Sequence, residues 1–210
     1  MRDLKTYAAA LLACAGLLAA APCAGAAART TAATTAITAA TTATTAATVT
    51  ASCAATWGSL PKTGGDDGSR PLTNVRTGRH DCYDRMVLDI RGDLPATAAG
   101  YRVRYVDRFL QDGSGREITF AGGAVLEIVA TAPSYDPDTH EPTYGGRGGK
   151  PLPGVDLAGY RTFRDARFGA SYEGTTQLGL GVRARLPFRV FTTGDRLVVD
   201  VAHTWAAAAR

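Results

Sequence analysis

Apolar residues recur at every second position in short runs between Trp57 and Trp205. Val182, Ala184, Leu186, Phe188 and Val190 alternate with Arg183, Arg185, Pro187, Arg189 and Phe191, the period of a strand with one face buried and one solvated. Val103 and Tyr105 alternate in the same way with Arg102 and Arg104. Met86, Leu88 and Ile90 share one strand face, as do Leu197, Val199 and Val201 near the end. Further strands are predicted at 117–120, 124–132, 160–169 and 176–181. Asp112-Gly113-Ser114-Gly115, Gly122-Gly123 and Thr193-Gly194-Asp195 supply the turns between them. Apolar spacing of the helical kind never lasts three turns, which leaves room only for a short helix at 94–99 or 155–160. The pattern predicts an all-β sandwich or barrel.

The sequence echoes itself inside this pattern. Asp84-Arg85-Met86-Val87-Leu88-Asp89-Ile90 returns as Asp195-Arg196-Leu197-Val198-Val199-Asp200-Val201, four positions being identical and three exchanging large aliphatics. Two readings stand: ordinary strands sharing common residues, or equivalent strands of a pseudo-symmetric sandwich. The second predicts that Met86, Leu88, Leu197 and Val199 are buried. Residues 133–154 have no strand pattern and are rich in Pro, Gly and charge. Such a long loop is either functional or mobile, and mobility is the leading expectation.

The N-terminal quarter differs. Arg2 and Lys5 precede a run of Ala, Leu and Gly from Tyr7 to Ala21, and Pro22 is followed by small residues to Ala28. That is the layout of a secretory signal peptide over 1–28, cut after Ala26 or Ala28. The apolar run is about 15 residues against the roughly 20 a bilayer span needs, so no membrane span is expected after cleavage. Leu11-Leu12-Ala13-Cys14 has lipobox residue types, so lipidation at Cys14, or at Cys23, is a secondary route to the cell surface. Residues 29–56 are almost wholly Ala and Thr and predict a disordered linker. The folded domain is expected over 57–205. Its 149 residues hold 19 Lys and Arg against 18 Asp and Glu, so the formal +4 of the whole chain gives no support for nucleic-acid binding.

Cleavage would leave two cysteines, Cys53 and Cys82, which in an oxidising compartment most simply pair. Cys82 lies beside His80 and Asp81, which invites comparison with the nucleophile of L,D-transpeptidases. The Ser-Xaa-Gly-Cys motif of those enzymes is absent, and the disulfide is the better reading. The histidines His80, His140 and His203 are scattered without ligand spacing. Asp136, Asp138 and Glu141 lack the Gly and full ligand series of a calcium loop. Accordingly no metal, no cofactor and no catalytic residue is expected. Arg183, Arg185 and Arg189 on one strand, with Arg102 and Arg104 on another, would form a cationic patch for carboxylates if the strands are neighbours. Otherwise they form a solvated face paired with Asp89, Asp107 or Asp200.

Several stretches resemble the AMIN-like domain proteins of secreted bacterial origin. They are Trp57-Gly58-Ser59, Val75 to Arg85, Gly100 to Val106, Arg161-Thr162-Phe163, Leu178 to Phe191 and Arg196 to His203. The resemblance covers essentially all of 57–205. It implies an AMIN-like β-sandwich of about 8–10 short strands, related to modules that target amidases and secretins to the cell envelope. Only Ala206 to Arg210 follow Trp205, so a stand-alone, non-enzymatic binding module is expected, a monomer at the cell surface or secreted. Its expected partner is peptidoglycan or an associated acidic polymer, with docking to an envelope protein as the alternative and a small hydrolase behind both.

Overall fold

The computed structural model describes residues 53, 55–65, 70–92 and 99–206. The signal peptide expected at 1–28, the linker expected at 29–56 apart from Cys53, Ala55 and Thr56, and the segment 94–99 apart from Ala99 lie outside them.

Nine strands and no helix are present among the described residues. They are β1 (Lys62–Gly64), β2 (Leu72–Arg79), β3 (Tyr83–Ile90), β4 (Tyr101–Val106), β5 (Ala124–Ala130), β6 (Phe163–Tyr172), β7 (Thr175–Val182), β8 (Phe188–Thr193) and β9 (Arg196–Ala202). They build two antiparallel sheets, β1-β4-β5-β7-β6 and β2-β3-β9-β8. The inward positions of both sheets, among them Met86, Leu88, Val103, Leu126, Ile128, Leu178, Leu180, Phe188, Leu197 and Val199, form one core cluster. This is the β-sandwich that the alternating pattern predicts. Burying each such aliphatic side chain contributes about 1.5–3 kcal/mol.

Residues 182–191 are not one strand. β7 ends at Val182, residues 183–187 cross from the five-stranded sheet to the four-stranded one, and β8 begins at Phe188. The alternation persists because both sheets face the same core, so a chain passing between them still buries every second or third side chain. Val182, Leu186 and Phe188 are buried and Ala184 half-buried. Tyr105 fixes the crossing: its hydroxyl donates to the Leu186 carbonyl at 2.8 Å and accepts the Leu186 N–H at 3.0 Å. Residues 117–120 also form no strand; Glu117 makes one isolated bridge to Leu110. Residues 153–154 and 158–159 are turns, so no helix forms at 155–160.

The loop 133–154 is tied down along its length. Tyr135 bridges Pro142, Thr143 and Tyr144 both donate backbone N–H groups to the Ser134 carbonyl, and Tyr144 and Leu152 are buried. Gly149, Lys150 and Leu152 bond to β6 at Phe168 and Ala166 and so cover that sheet edge. Internal hydrogen bonds replace the missing strand pattern.

The two echoing segments are β3 and β9, adjacent in the centre of one sheet. Val87 stands opposite Val198, the fourth place of each seven-residue run. A local two-fold axis therefore relates the runs, and each is complementary to the other. Arg85 in the second place faces Asp200 in the sixth, and Asp89 in the sixth faces Arg196 in the second. Met86, Leu88, Leu197 and Val199 are all fully buried, as expected.

Candidate functional site

Because successive side chains alternate, everything on the outer face of the four-stranded sheet follows from this register. Its rows read Gly78, Arg85, Asp200, Arg189; then Arg76, Val87, Val198, Phe191; then Asn74, Asp89, Arg196, Thr193. Four arginines converge on two carboxylates. Asp200 is fully buried and takes Arg85 at 2.6 Å and Arg189 at 2.8 Å. Asp89 takes Arg76 at 2.9 Å and Arg196 at 3.5 Å. Arg76 and Arg85 use both Nε and Nη2, the bidentate geometry that fixes a guanidinium plane. Their hydrogen bonds to Asp89 and Asp200 raise the pKa of both arginines further, so these cations persist at every ordinary pH. Asp195, at the tip of the β8–β9 hairpin, lies 3.5 Å from Arg196. The face remains cationic by four to three.

Aromatic rings frame one end of it. The Arg189 guanidinium lies 4.3 Å from the Trp57 ring centre and 5.4 Å from those of Tyr83 and Phe191. Arg85 lies 5.2 Å from Tyr83 and 5.5 Å from Phe191. Trp57 meets Tyr83 edge-on, and His80 stacks on Tyr83. Beside Phe191 runs a groove of about 280 Å³ lined also by Arg76, Arg85, Arg196, Val87 and Val198. Guanidiniums held between rings and carboxylates have little freedom left to lose when a ligand arrives.

The five arginines singled out by the alternating pattern fall in three places. Arg189 alone is on this face. Arg102 and Arg104 are on β4, in the other sheet, beside the buried Glu127 at 4.0 and 2.8 Å. β4 and β8 are not neighbours. Arg183 donates to the His203 carbonyl, and Arg185 lies 5.2 Å from the Tyr105 ring, both in the crossing between sheets. Arg76, Arg85 and Arg196 join Arg189 instead. The signal for Arg85 and Arg196 was the repeated Arg-Xaa-Xaa-Xaa-Asp spacing, which places Arg and Asp on one strand face and, in antiparallel register, opposite each other; Arg76 had no such signal.

Cys53 and Cys82 form the expected disulfide, with Cα atoms 4.9 Å apart. It joins the segment leading into β1 to the start of β3, beside Tyr83. The second notable constellation lies nearby. Asp84 and His203 are both buried, with His203 Nε2 3.0 Å from Asp84 Oδ1 and Nδ1 3.1 Å from the Asp81 carbonyl. Asp84 Oδ2 also accepts the backbone N–H groups of Thr162 and Phe163. Both ring nitrogens are thus occupied by protein acceptors, so the pair welds the ends of β3, β6 and β9 together rather than presenting a base to a substrate. No group of three His, Cys, Asp or Glu suited to a metal occurs among the described residues.

Fold and face define the class first: a two-sheet antiparallel sandwich with a cationic, ring-framed outer face. The chain belongs to the AMIN-like domain family, whose model matches residues 70–203, more than half of its length. AMIN-like domains are envelope-associated, non-catalytic modules. No curated protein and no solved structure matches the chain.

Proposed function

We propose that the protein is an exported module that binds an anionic component of the cell envelope, peptidoglycan or an associated acidic polymer, on the outer face of β2-β3-β9-β8. The observation that carries this reading is the convergence of Arg76, Arg85, Arg189 and Arg196 on only two carboxylates of the same face. Each guanidinium has five N–H donors, and the paired Asp residues leave several directed at solvent. The carboxylates of peptide stems or uronic acids have the planar geometry to accept them bidentately. The rings of Tyr83, Phe191 and Trp57 add apolar area beside the charge, which suits a polymer carrying both sugars and carboxylates.

Sedimentation of the protein with protein-free cell wall tests this. Arg76→Ser with Arg196→Ser should abolish most retention while changing stability by less than about 1 kcal/mol, because both side chains are near half exposed. Added salt should release the wild type progressively. Full retention of the double variant would refute the assignment. Retention lost instead by Arg102→Ser with Arg104→Ser would move the site to the other sheet.

A further inference from the structure

The ligand face is completed by a piece of chain that lies outside the 70–203 family match. Trp57, which covers Arg189, belongs with Cys53 and residues 55–58 to a strap at the end of the four-stranded sheet. Three hydrogen bonds and one β-bridge hold this strap. The Thr204 hydroxyl donates to the Cys53 carbonyl, Phe188 donates its N–H to the Gly58 carbonyl, and Ala55 bridges Trp205. Lys62 donates its ammonium to the Trp57 carbonyl at 3.1 Å. The Thr204 bond is exposed, that of Lys62 part-buried, and Phe188 and Ala55 are buried, but a single hydrogen bond adds only modest net stability. The covalent tie is the Cys53–Cys82 disulfide, and Cys82 is followed directly by Tyr83, the ring on which the edge of Trp57 rests.

We propose that this disulfide is a latch that holds Trp57 over Arg189, making carboxylate binding by the arginine face depend on the oxidation state of the protein. The inference rests on the face being the ligand surface. Arg189 has its Nε and Nη2 committed to Asp200, and the indole screens one side of its guanidinium from water. A guanidinium shielded on one side and fixed in this way meets an incoming carboxylate with less ordering to lose. Trp57 is therefore a positioning residue acting through Arg189. Opening the latch needs a dithiol. One thiolate attacks a sulfur of the bridge and the S–S bond breaks. The second thiol then resolves the mixed disulfide, so the dithiol ends oxidised and Cys53 and Cys82 each carry a hydrogen. Without its covalent anchor the strap loses the loop closure over a sequence separation of 29 that keeps Trp57 in place.

The full chain carrying Trp205→Phe, with Trp57 as its one tryptophan, reports the latch directly. Reduction with dithiothreitol should raise acrylamide quenching of Trp57 fluorescence severalfold while the far-ultraviolet circular dichroism stays that of the β-sandwich. In the same samples, affinity for protein-free cell wall should fall about fivefold to tenfold, the loss expected of one partly exposed cation–π contact. Trp57→Ala, which keeps the disulfide, should match the reduced protein, and Trp57→Phe should restore most of the binding. Quenching and retention both unchanged on reduction would overturn the latch while leaving the ligand face intact. Absence of wall binding by the oxidised wild type would overturn the ligand face and the redox control together. Restoration by neither ring, with Trp57→Phe as weak as Trp57→Ala, would overturn the positioning role of the aromatic face.

Discussion

Over β7 the outer face of the five-stranded sheet is closed by the chain's own loop, while that of the four-stranded sheet is left to arginines and solvent. On the first, Gly179 and Gly181 of β7 leave hollows that Phe120, Phe109 and the Ala121 backbone fill. Gln177 anchors the cover: its amide nitrogen donates to the Leu110 carbonyl and to Glu127 Oε1, and its oxygen accepts the Asp112 N–H. Even the Gly-bearing positions of β7 are buried as a result. On the second face Trp57 reaches over at one corner, beside His80 on Tyr83, and Arg76 and Arg196 stand near half exposed. The five-stranded sheet thus spends the middle of its outer face on stability, with Arg102 and Arg104 left half exposed at its β4 end. The other carries charge that folding alone does not require.

A single methyl group placed on each face should separate them most sharply. A Cβ at position 179 would stand 2.1 Å from the Phe120 ring and 3.0 Å from that of Phe109. Gly179→Ala must displace both rings and should cost about 2–3 kcal/mol in urea unfolding. A Cβ at position 78, on the open face, meets nothing nearer than His80 at 3.7 Å. Gly78→Ala should therefore stay within about 0.5 kcal/mol of the wild type, or stabilise it by restricting the unfolded chain. Equal losses at the two positions would show that the open face is covered in solution.

The arginine face also contains a part that is structural, and Asp200 marks it. It is fully buried and bonded to two guanidiniums that are themselves a quarter to two-fifths exposed. Asp200→Ala strands both cations, although water can reach them. The expected loss is about 2 kcal/mol, below the 3–5 kcal/mol of a fully buried pair. Denaturant titration of Asp200→Ala beside Arg76→Ser would grade the face from buried pair to exposed pair. Losses of the same size would remove the distinction between scaffold and ligand-facing arginines.

How much of this could be read from the sequence differs between the two sheets. The core strands were legible because Met86, Leu88, Leu197 and Val199 each obey period two within one strand. The crossing at 183–187 was hidden by the same rule, since Val182, Leu186 and Phe188 face one core from two sheets. That merged two strands and put Arg183, Arg185 and Arg189 on a common face they do not share. The cover of residues 107–123 was illegible for another reason. Phe109, Ile118 and Phe120 pack as loop side chains into space left by glycines 70 residues or fewer away, with no period to announce it. Strand β2 was missed because Val75 alone of its central residues is buried and apolar. The carboxylates needed by the arginines were visible in the echo, but only the pairing of β3 with β9 shows that each run supplies the other's partner.

The smallest expected effect concerns that cover and acid. Two carboxyls on it are shifted in opposite directions. Burial first, and then the Glu127 charge, raises the pKa of Asp112 above its ordinary 3.8. The bond from Arg108 lowers that of Glu117 below its ordinary 4.5. A raised carboxyl binds its proton more tightly folded than unfolded, so the cover gains stability as pH falls through the folded value of Asp112. A lowered carboxyl does the reverse: its contribution is complete above 4.5 and disappears as pH falls through the folded value of Glu117. Protection of the 108–121 amides against hydrogen exchange, corrected for intrinsic rates, should therefore rise from neutral pH into mild acid and then decline. Asp112→Asn should flatten the rising limb and Glu117→Gln the falling one. Arg76 and Arg85, held charged by their carboxylate bonds, supply no titrating cation to the open face over this range. A rise and fall of the same shape in the β2 and β3 amides would mean that acid acts on the whole sandwich, and the cover would lose its claim to a separate response.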